Sequence, residues 1–409
     1  MKRSQSRFLR RIAAAGLAVG LLAGLGAPGA AAARTGAPGG DTGSSAVLGA
    51  PGAGTERPEL QAALQAVVDA GFSGIQLRVH DQRGDWVGSA GVRKLGDDAK
   101  PPTDGRFWVG SVTKTFTATV VLQLVAEHKL SLDASVARYL PRYGFDPRIT
   151  VRMLLQHTSG LFNYTGELYE NGTTVLGIPA VGKDWVENRY RSYRPEELVR
   201  FALSKPARFA PGTGQSYSNT NYTVALLLIE KVTGHSYAGE VQRRILRPLG
   251  LRDTAVPGNS PQLPGPHAHG YYRYQDGADW KVVDVTRQNL SLLAGAGDMR
   301  STTADLQTFI RALMTGKLVP EPLLTQMRTP YGTLGYGYGL FIQDLGPQCG
   351  GTFYQHNGSP PGGYGALMYS NADGTRTMTA SVTSGDAAID VPTAFYTALP
   401  KLLTAVFCA

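Results

Sequence analysis

Apolar and polar positions along this 409-residue chain alternate with two different periods. Residues 58–71 repeat at helical spacing. Residues 75–80 and 86–92 alternate at every second position around the turn Asp81-Gln-Arg-Gly-Asp85, which predicts a β-hairpin. From Ser111 to about Asp305 most apolar runs have helical length and are separated by long loops rich in Gly, Pro and Tyr. Short strand-like runs return at 339–343, 352–356, 364–369 and 375–382, and a helical pattern at 392–405 closes the chain. Strands near both ends with helices between them predict an α+β arrangement. One sheet is assembled from both ends of the chain, and a mostly helical lobe is inserted between them. The expected sheet lobe is about 56–110 with 330–409, and the helical lobe about 111–329. Two lobes of this size suit a shared cleft.

The first residues break the pattern. Lys2, Arg3, Arg7, Arg10 and Arg11 precede an apolar stretch at 12–25, followed by Pro28 and the small residues 30–33. This reads as a cleaved signal peptide over 1–33, too short in its apolar part to span a bilayer comfortably. Residues 34–55, rich in Gly, Ala, Ser and Thr, read as a flexible lead-in. The expected mature protein is secreted, and no later stretch predicts a membrane anchor. Without residues 1–33 the formal net charge of +9 falls to about +4, so nucleic acid is not an indicated partner. The chain has two cysteines, Cys349 and Cys408. In an oxidising exterior compartment an even pair reads as one disulfide.

Three short motifs then carry chemistry. Ser111-Val-Thr-Lys114 follows the turn-like Val109-Gly110 and opens an apolar helical run, which puts a hydroxyl and an amine on one helix face. A serine becomes a nucleophile when a base takes its proton, and a lysine can be that base when burial keeps it neutral. About a hundred residues on, Tyr217-Ser-Asn219 lies in a polar loop leading into the apolar run Val224-Ala-Leu-Leu-Leu-Ile229. A phenol near an ammonium can have its pKa pulled down and relay the proton, and the Asn219 amide can orient the lysine or a substrate carbonyl. His356-Asn-Gly358 ends a strand-like run, where a glycine lets substrate backbone approach. Other candidates point away from chemistry. His267-Ala-His269 has poor zinc spacing, so no metal is expected. His157 and His235 sit in turn-like text. Gly295-Ala-Gly297 lacks the strand-to-helix fingerprint of a phosphate loop and reads as a turn or close-packing element. No Gly-x-Ser-x-Gly occurs, which argues against an α/β-hydrolase.

With these three motifs in this order, and with Phe107-Trp-Val-Gly110, Tyr139-Leu-Pro141 and His157-Thr-Ser-Gly160 around them, the chain resembles the serine DD-peptidases and class C β-lactamases. Over about residues 56–408 it is similar above all to the secreted D-alanyl-D-alanine carboxypeptidases of actinobacteria. The resemblance implies the two-lobe β-lactamase/transpeptidase-like fold and an acyl-enzyme on Ser111. Lys114, Tyr217 and His356 would complete the catalytic set, with either Lys114 or Tyr217 as the base. It further implies an oxyanion hole from the Ser111 and Ser359 N–H groups, and substrate contacts from Asn219, Asn357, Gly358 and Ser359. Tyr169 falls where relatives carry a phenylalanine that covers the site. The cysteine spacing of the relatives also implies the Cys349–Cys408 bridge. No cofactor is implied. The implied partners are a peptidoglycan stem peptide or another D-amino-acid acyl substrate, with β-lactams as covalent inhibitors of a monomer. Three departures widen the expectation. The 340–345 stretch has no arginine where relatives hold a substrate carboxylate, Asn357 replaces the usual threonine, and a cleft tryptophan is replaced within 289–292. A related esterase, a D-amino-acid amidase or aminopeptidase, a weak β-lactamase and a non-turnover penicillin-binding sensor are the alternatives.

Overall fold

A computed structural model describes residues 56–169 and 172–408; the expected signal peptide and lead-in lie outside the described residues. The hairpin read from alternation is strand β1 (Phe72–Asp81) and strand β2 (Gly84–Gly91), each a little longer than the pattern alone indicates. Four strands from the C-terminal part join them: β3 (Phe341–Asp344), β4 (Thr352–Gly358), β5 (Tyr364–Ser370) and β6 (Thr377–Ser384). The sheet is antiparallel throughout, in the order β2-β1-β6-β5-β4-β3. Both ends of the described chain therefore meet at its centre, where Ile75, Leu77 and Val79 oppose Val382, Ala380 and Met378.

One face of the sheet is covered by helix α1 (Pro58–Asp69) and the closing helix α5 (Val391–Phe407). Leu60, Leu64 and Val67 from α1 and Leu399, Leu402 and Val406 from α5 share one core with the sheet residues just named. Burying each such side chain contributes about 1.5–3 kcal/mol. The helical lobe is built around helix α2 (Thr113–Ala126) and helix α3 (Asn219–Thr233), both buried over most of their surface. A helix without a polar face belongs in the middle of a lobe. Helix α4 (Thr303–Met314) ties the two lobes together. Its Phe309 stacks on Phe116 of α2 at 3.6 Å, and its Thr303 carbonyl accepts from Thr379 Oγ1 of β6 at 2.9 Å.

The helical segment also contains strands that apolar run length does not reveal. Gly166–Leu168 pairs with Thr174–Leu176, and Tyr271–Asp276 with Asp279–Asp284. The disulfide joins Cys349, between β3 and β4, to Cys408 after α5. Arg376 reinforces the junction by donating to Cys349 O at 3.0 Å and to Phe407 O. No helix among the described residues is long and apolar enough to cross a membrane.

Candidate active site

Ser111 lies in a single 3₁₀ turn, Gly110–Val112, that feeds α2. Gly110 has φ +50°, a left-handed conformation that suits a residue without a side chain. The end of β4 presses against this turn. A methyl group on Gly358 would collide with Val109 O and come within 2.8 Å of Ser111 N; one on Gly110 would come within 2.7 Å of Ser359 N. The two glycines thus bring the Ser111 and Ser359 backbones side by side.

Lys114, one turn along α2 from Ser111, is fully buried. Its Nζ donates to Asn219 Oδ1 and to Ala296 O, each at 2.8 Å, and lies 3.0 Å from Ser111 Oγ. The first two partners can only accept. A neutral amine has two N–H bonds and one lone pair, so the lone pair is left for the Ser111 hydroxyl. The electrostatics agree: burial holds the Lys114 pKa well below its usual value, against a smaller upward pull from Asp298.

Tyr217 precedes α3. The Nδ1 of His157 accepts from Ser218 N at 3.2 Å and Asn163 Oδ1 accepts from Asn219 N at 3.1 Å, which fixes the loop. His157 is therefore a scaffold residue, buried in a left-handed conformation at φ +61° with its ring 4.3 Å from that of Tyr217. The Tyr217 ring centre is 4.7 Å from Lys114 Nζ, and its hydroxyl is close enough to Ser111 for the two to interact. Its phenol behaves opposite to the sequence expectation. Part of the ring reaches the cleft, but the protein packed around it raises the pKa, and the interaction with Ser111 offsets this only in part. The same burial disfavours the Lys114 ammonium and so weakens the pull that would bring the phenol down.

His356 was expected among the catalytic groups. It is 1% exposed, and both ring nitrogens are occupied: Tyr336 OH lies 3.0 Å from Nε2, and Nδ1 lies 2.6 Å from Asn357 O. Burial, helped by Lys114, lowers its pKa to about 3, so the ring is neutral and sits behind the site. Tyr336 was missed by the motif reading, as was the position of Phe341. The Phe341 ring packs 4.6 Å from Tyr336, 5.3 Å from His356 and 6.4 Å from Tyr217. Where relatives are expected to offer an arginine, this chain therefore has a buried aromatic ring packed behind the site. Arg328 does not compensate, because it donates to Met314 O and faces the Tyr354 ring.

Beyond His356, Asn357 is half-buried and Ser359 exposed at the end of β4, with Ser359 Oγ donating to Pro360 O at 3.0 Å. Tyr169 stacks 5.0 Å from the guanidinium of Arg208, which is paired with the buried Glu167. Its backbone pairs with Thr173 and Gly172, so its ring belongs to the Arg208 cluster. His269 is bound to Asp284 at 2.7 Å, well away in sequence from the three motifs, and His235 is exposed after α3. The Gly295-Ala-Gly297 segment is a turn, and in addition it delivers the carbonyl that holds Lys114.

Comparison with known proteins is consistent with this geometry. Residues 60–397 match the model of the Beta-lactamase family. Penicillin-binding protein 4* of Bacillus subtilis (strain 168) is 29% identical over 302 residues, covering 71% of this chain and 63% of that protein. Among solved structures, a D-stereospecific amidohydrolase from Streptomyces sp. is similar with 36% identity and a TM-score of 0.74, over 86% of this chain and 99% of its own. The D-amino acid amidase from Ochrobactrum anthropi SV3, complexed with L-phenylalanine amide, follows at 26% and 0.71, over 85% and 97%. With the Ser-x-x-Lys, Tyr-x-Asn and His-x-Gly motifs around one cleft and a family match over most of its length, the chain belongs to the Beta-lactamase family of serine hydrolases.

Proposed function

We propose that this chain is an exported hydrolase that cleaves amide and peptide bonds of D-amino-acid compounds through an acyl-enzyme on Ser111. The observation that carries the reading is the contact of Ser111 Oγ with the buried amine of Lys114 at 3.0 Å, with the Tyr217 hydroxyl interacting with the same serine. Ser111 Oγ adds to the carbonyl carbon while its proton passes to Lys114 Nζ. The Ser111 and Ser359 N–H groups donate to the oxyanion, each contributing a few kcal/mol. The C–N bond then breaks. The leaving nitrogen takes the Tyr217 proton, and Tyr217 is reprotonated from the Lys114 ammonium. Water adds to the ester carbonyl, its proton goes to Lys114, and the Ser111 Oγ–C bond breaks as Ser111 regains a proton.

The similarity to a D-stereospecific amidohydrolase and a D-amino acid amidase supports the substrate class. The absence of an arginine from 340–345 supports an uncharged leaving group, since a free carboxylate without a cationic partner loses about 1.5–3 kcal/mol. D-alanyl-D-alanine carboxypeptidase activity on peptidoglycan stem peptides, inhibited by β-lactams, is the second reading. It is supported by the His356-Asn-Gly358 motif and by the likeness to a penicillin-binding protein. The test is steady-state turnover of a D-amino-acid amide, a D-Ala-D-Ala peptide and a nitrophenyl ester, with Ser111→Ala as control. Turnover of the amide above the peptide supports the first reading and the reverse order the second. Activity that survives Ser111→Ala refutes both. Export rests on residues 1–33, and N-terminal sequencing of protein recovered from the medium tests it.

A further inference from the structure

The 294–299 segment is hydrogen-bonded to α2, to α3 and to the residue that precedes the nucleophile turn. Ala294 O accepts from Thr223 Oγ1 of α3 at 2.8 Å, and Gly295 O from Thr117 Oγ1 of α2 at 2.7 Å. Ala296 O accepts from Lys114 Nζ. Met299 N donates to Thr113 Oγ1 at 3.2 Å, and Met299 O accepts from Val109 N at 3.0 Å. Inside this segment lies one carboxyl group, Asp298, which is 3% exposed. Its Oδ1 accepts from Gly295 N at 3.2 Å and so closes the turn that presents Ala296 O. Asp298 forms no ion pair among the described residues. A buried carboxyl without a cation in contact is costly unless something nearby uses its charge.

Nothing in the motif chemistry calls for an acid at this point. We propose that Asp298 is a positioning residue for acylation: it holds the Ala296 carbonyl on Lys114 and, by its charge, sets how readily Lys114 takes and returns the Ser111 proton. This rests on the reading of Lys114 as the base. The groups facing the pair are known. Lys114 from α2 and the phenols of Tyr164 and Tyr237 feel the Asp298 charge, while Tyr217, Tyr222, His157 and His356 surround Lys114. Burial keeps those phenols protonated and those imidazoles neutral. It also pushes the Asp298 carboxyl up to about 7, against the pull of its own and the Gly295 N–H groups and of Lys114. Asp298, whose carboxyl changes charge near neutral pH, and Lys114, whose ammonium is disfavoured by burial, are thus the two groups whose charges are linked. An ionised Asp298 favours the ammonium of Lys114, and a neutral one favours the free amine that acylation needs.

Asp298→Asn keeps an oxygen for the Gly295 N–H but cannot ionise, and Asp298→Ser keeps a smaller one. The measurement is the second-order rate of Ser111 labelling by a fluorescent penicillin from pH 5 to 10, beside a thermal melt. In each folded variant the acid limb should move to lower pH by at least about half a unit, because the ammonium has lost its anion. A purely structural role would lower the melting temperature and leave the limb in place. A folded variant with the wild-type profile overturns the proposal. If neither variant folds, wild-type protein labelled with ¹³C at aspartate carboxyls should show one group titrating near neutral pH, with a midpoint that rises in Lys114→Ala. The absence of such a group also overturns it. Failure of the parent reading is distinguishable, because labelling would then persist at full rate in Lys114→Ala.

Discussion

The sharpest consequence of the geometry concerns which group takes the Ser111 proton, and it separates two single variants. A phenol with an ordinary pKa near 10 is about 0.1% ionised at pH 7, so using Tyr217 as phenolate base costs about 4 kcal/mol before any barrier. Burial raises that cost further. For Lys114 the same burial works the other way, because it disfavours the ammonium and releases the free amine. Lys114→Ala should therefore lower acylation by about 10²–10⁴-fold, the range for a lost general base. It should do so equally for amides and activated esters, and it should erase the acid limb of the pH profile. Tyr217→Phe should behave differently, since its proton is needed by a leaving amine and not by nitrophenolate. It should depress amide turnover by a similar factor, leave nitrophenyl ester acylation within about tenfold of wild type, and preserve the acid limb. The sign follows from the shift: Lys114 is active when deprotonated, so the rate rises with pH through its lowered pKa. Stopped-flow acylation with both substrates across pH 5–10 gives the answer. If Tyr217→Phe lost the ester reaction as fully as Lys114→Ala, the phenol would be the base and the argument from burial would be wrong.

Gly358→Ala should cut penicillin labelling by about a hundredfold with a smaller loss in melting temperature, because its methyl forces β4 off the nucleophile turn and out of oxyanion geometry; a near wild-type rate would refute the close-approach account. Removing the disulfide as Cys349→Ala with Cys408→Ala should lower unfolding free energy by about 4 kcal/mol for a bridge spanning 59 positions, less whatever Arg376 retains. Urea melts test this, and an unchanged midpoint would show that Arg376 and α5 packing suffice. Phe341→Arg should raise the preference for a free C-terminal acid over its amide by about tenfold, equivalent to ~1.5 kcal/mol. A wild-type preference of a hundredfold for the acid would mean that a carboxylate anchor exists elsewhere.

How much of this was legible in the sequence depends on what kind of group carries the role. Side chains with a chemistry of their own stand out in a sequence: Ser111, Lys114, Tyr217 and Asn219 could be named from their motifs, and the structure places them together. The central strands were also legible, because along β1 and β6 apolar residues that face one core alternate with polar ones. The hairpin at 271–284 escaped for the opposite reason. Most of its positions are partly or fully exposed, and Trp280 and Val282 lie on the surface, so no apolar stripe marks it; only Asp276-Gly277 signalled a turn.

The third partner of Lys114 was harder still to see. It is a backbone carbonyl, which every residue owns, and no residue type announces it. The one side chain that could have pointed to it is Asp298, an acid set between Gly297 and Met299 at the end of an apolar stretch. An acid among apolar and small residues asks for a partner, and in this fold Lys114 is one of the titratable groups that feel it. A motif search locates the groups that react. The groups that set their proton affinity are found by asking, of each buried charge, what it would cost if nothing used it.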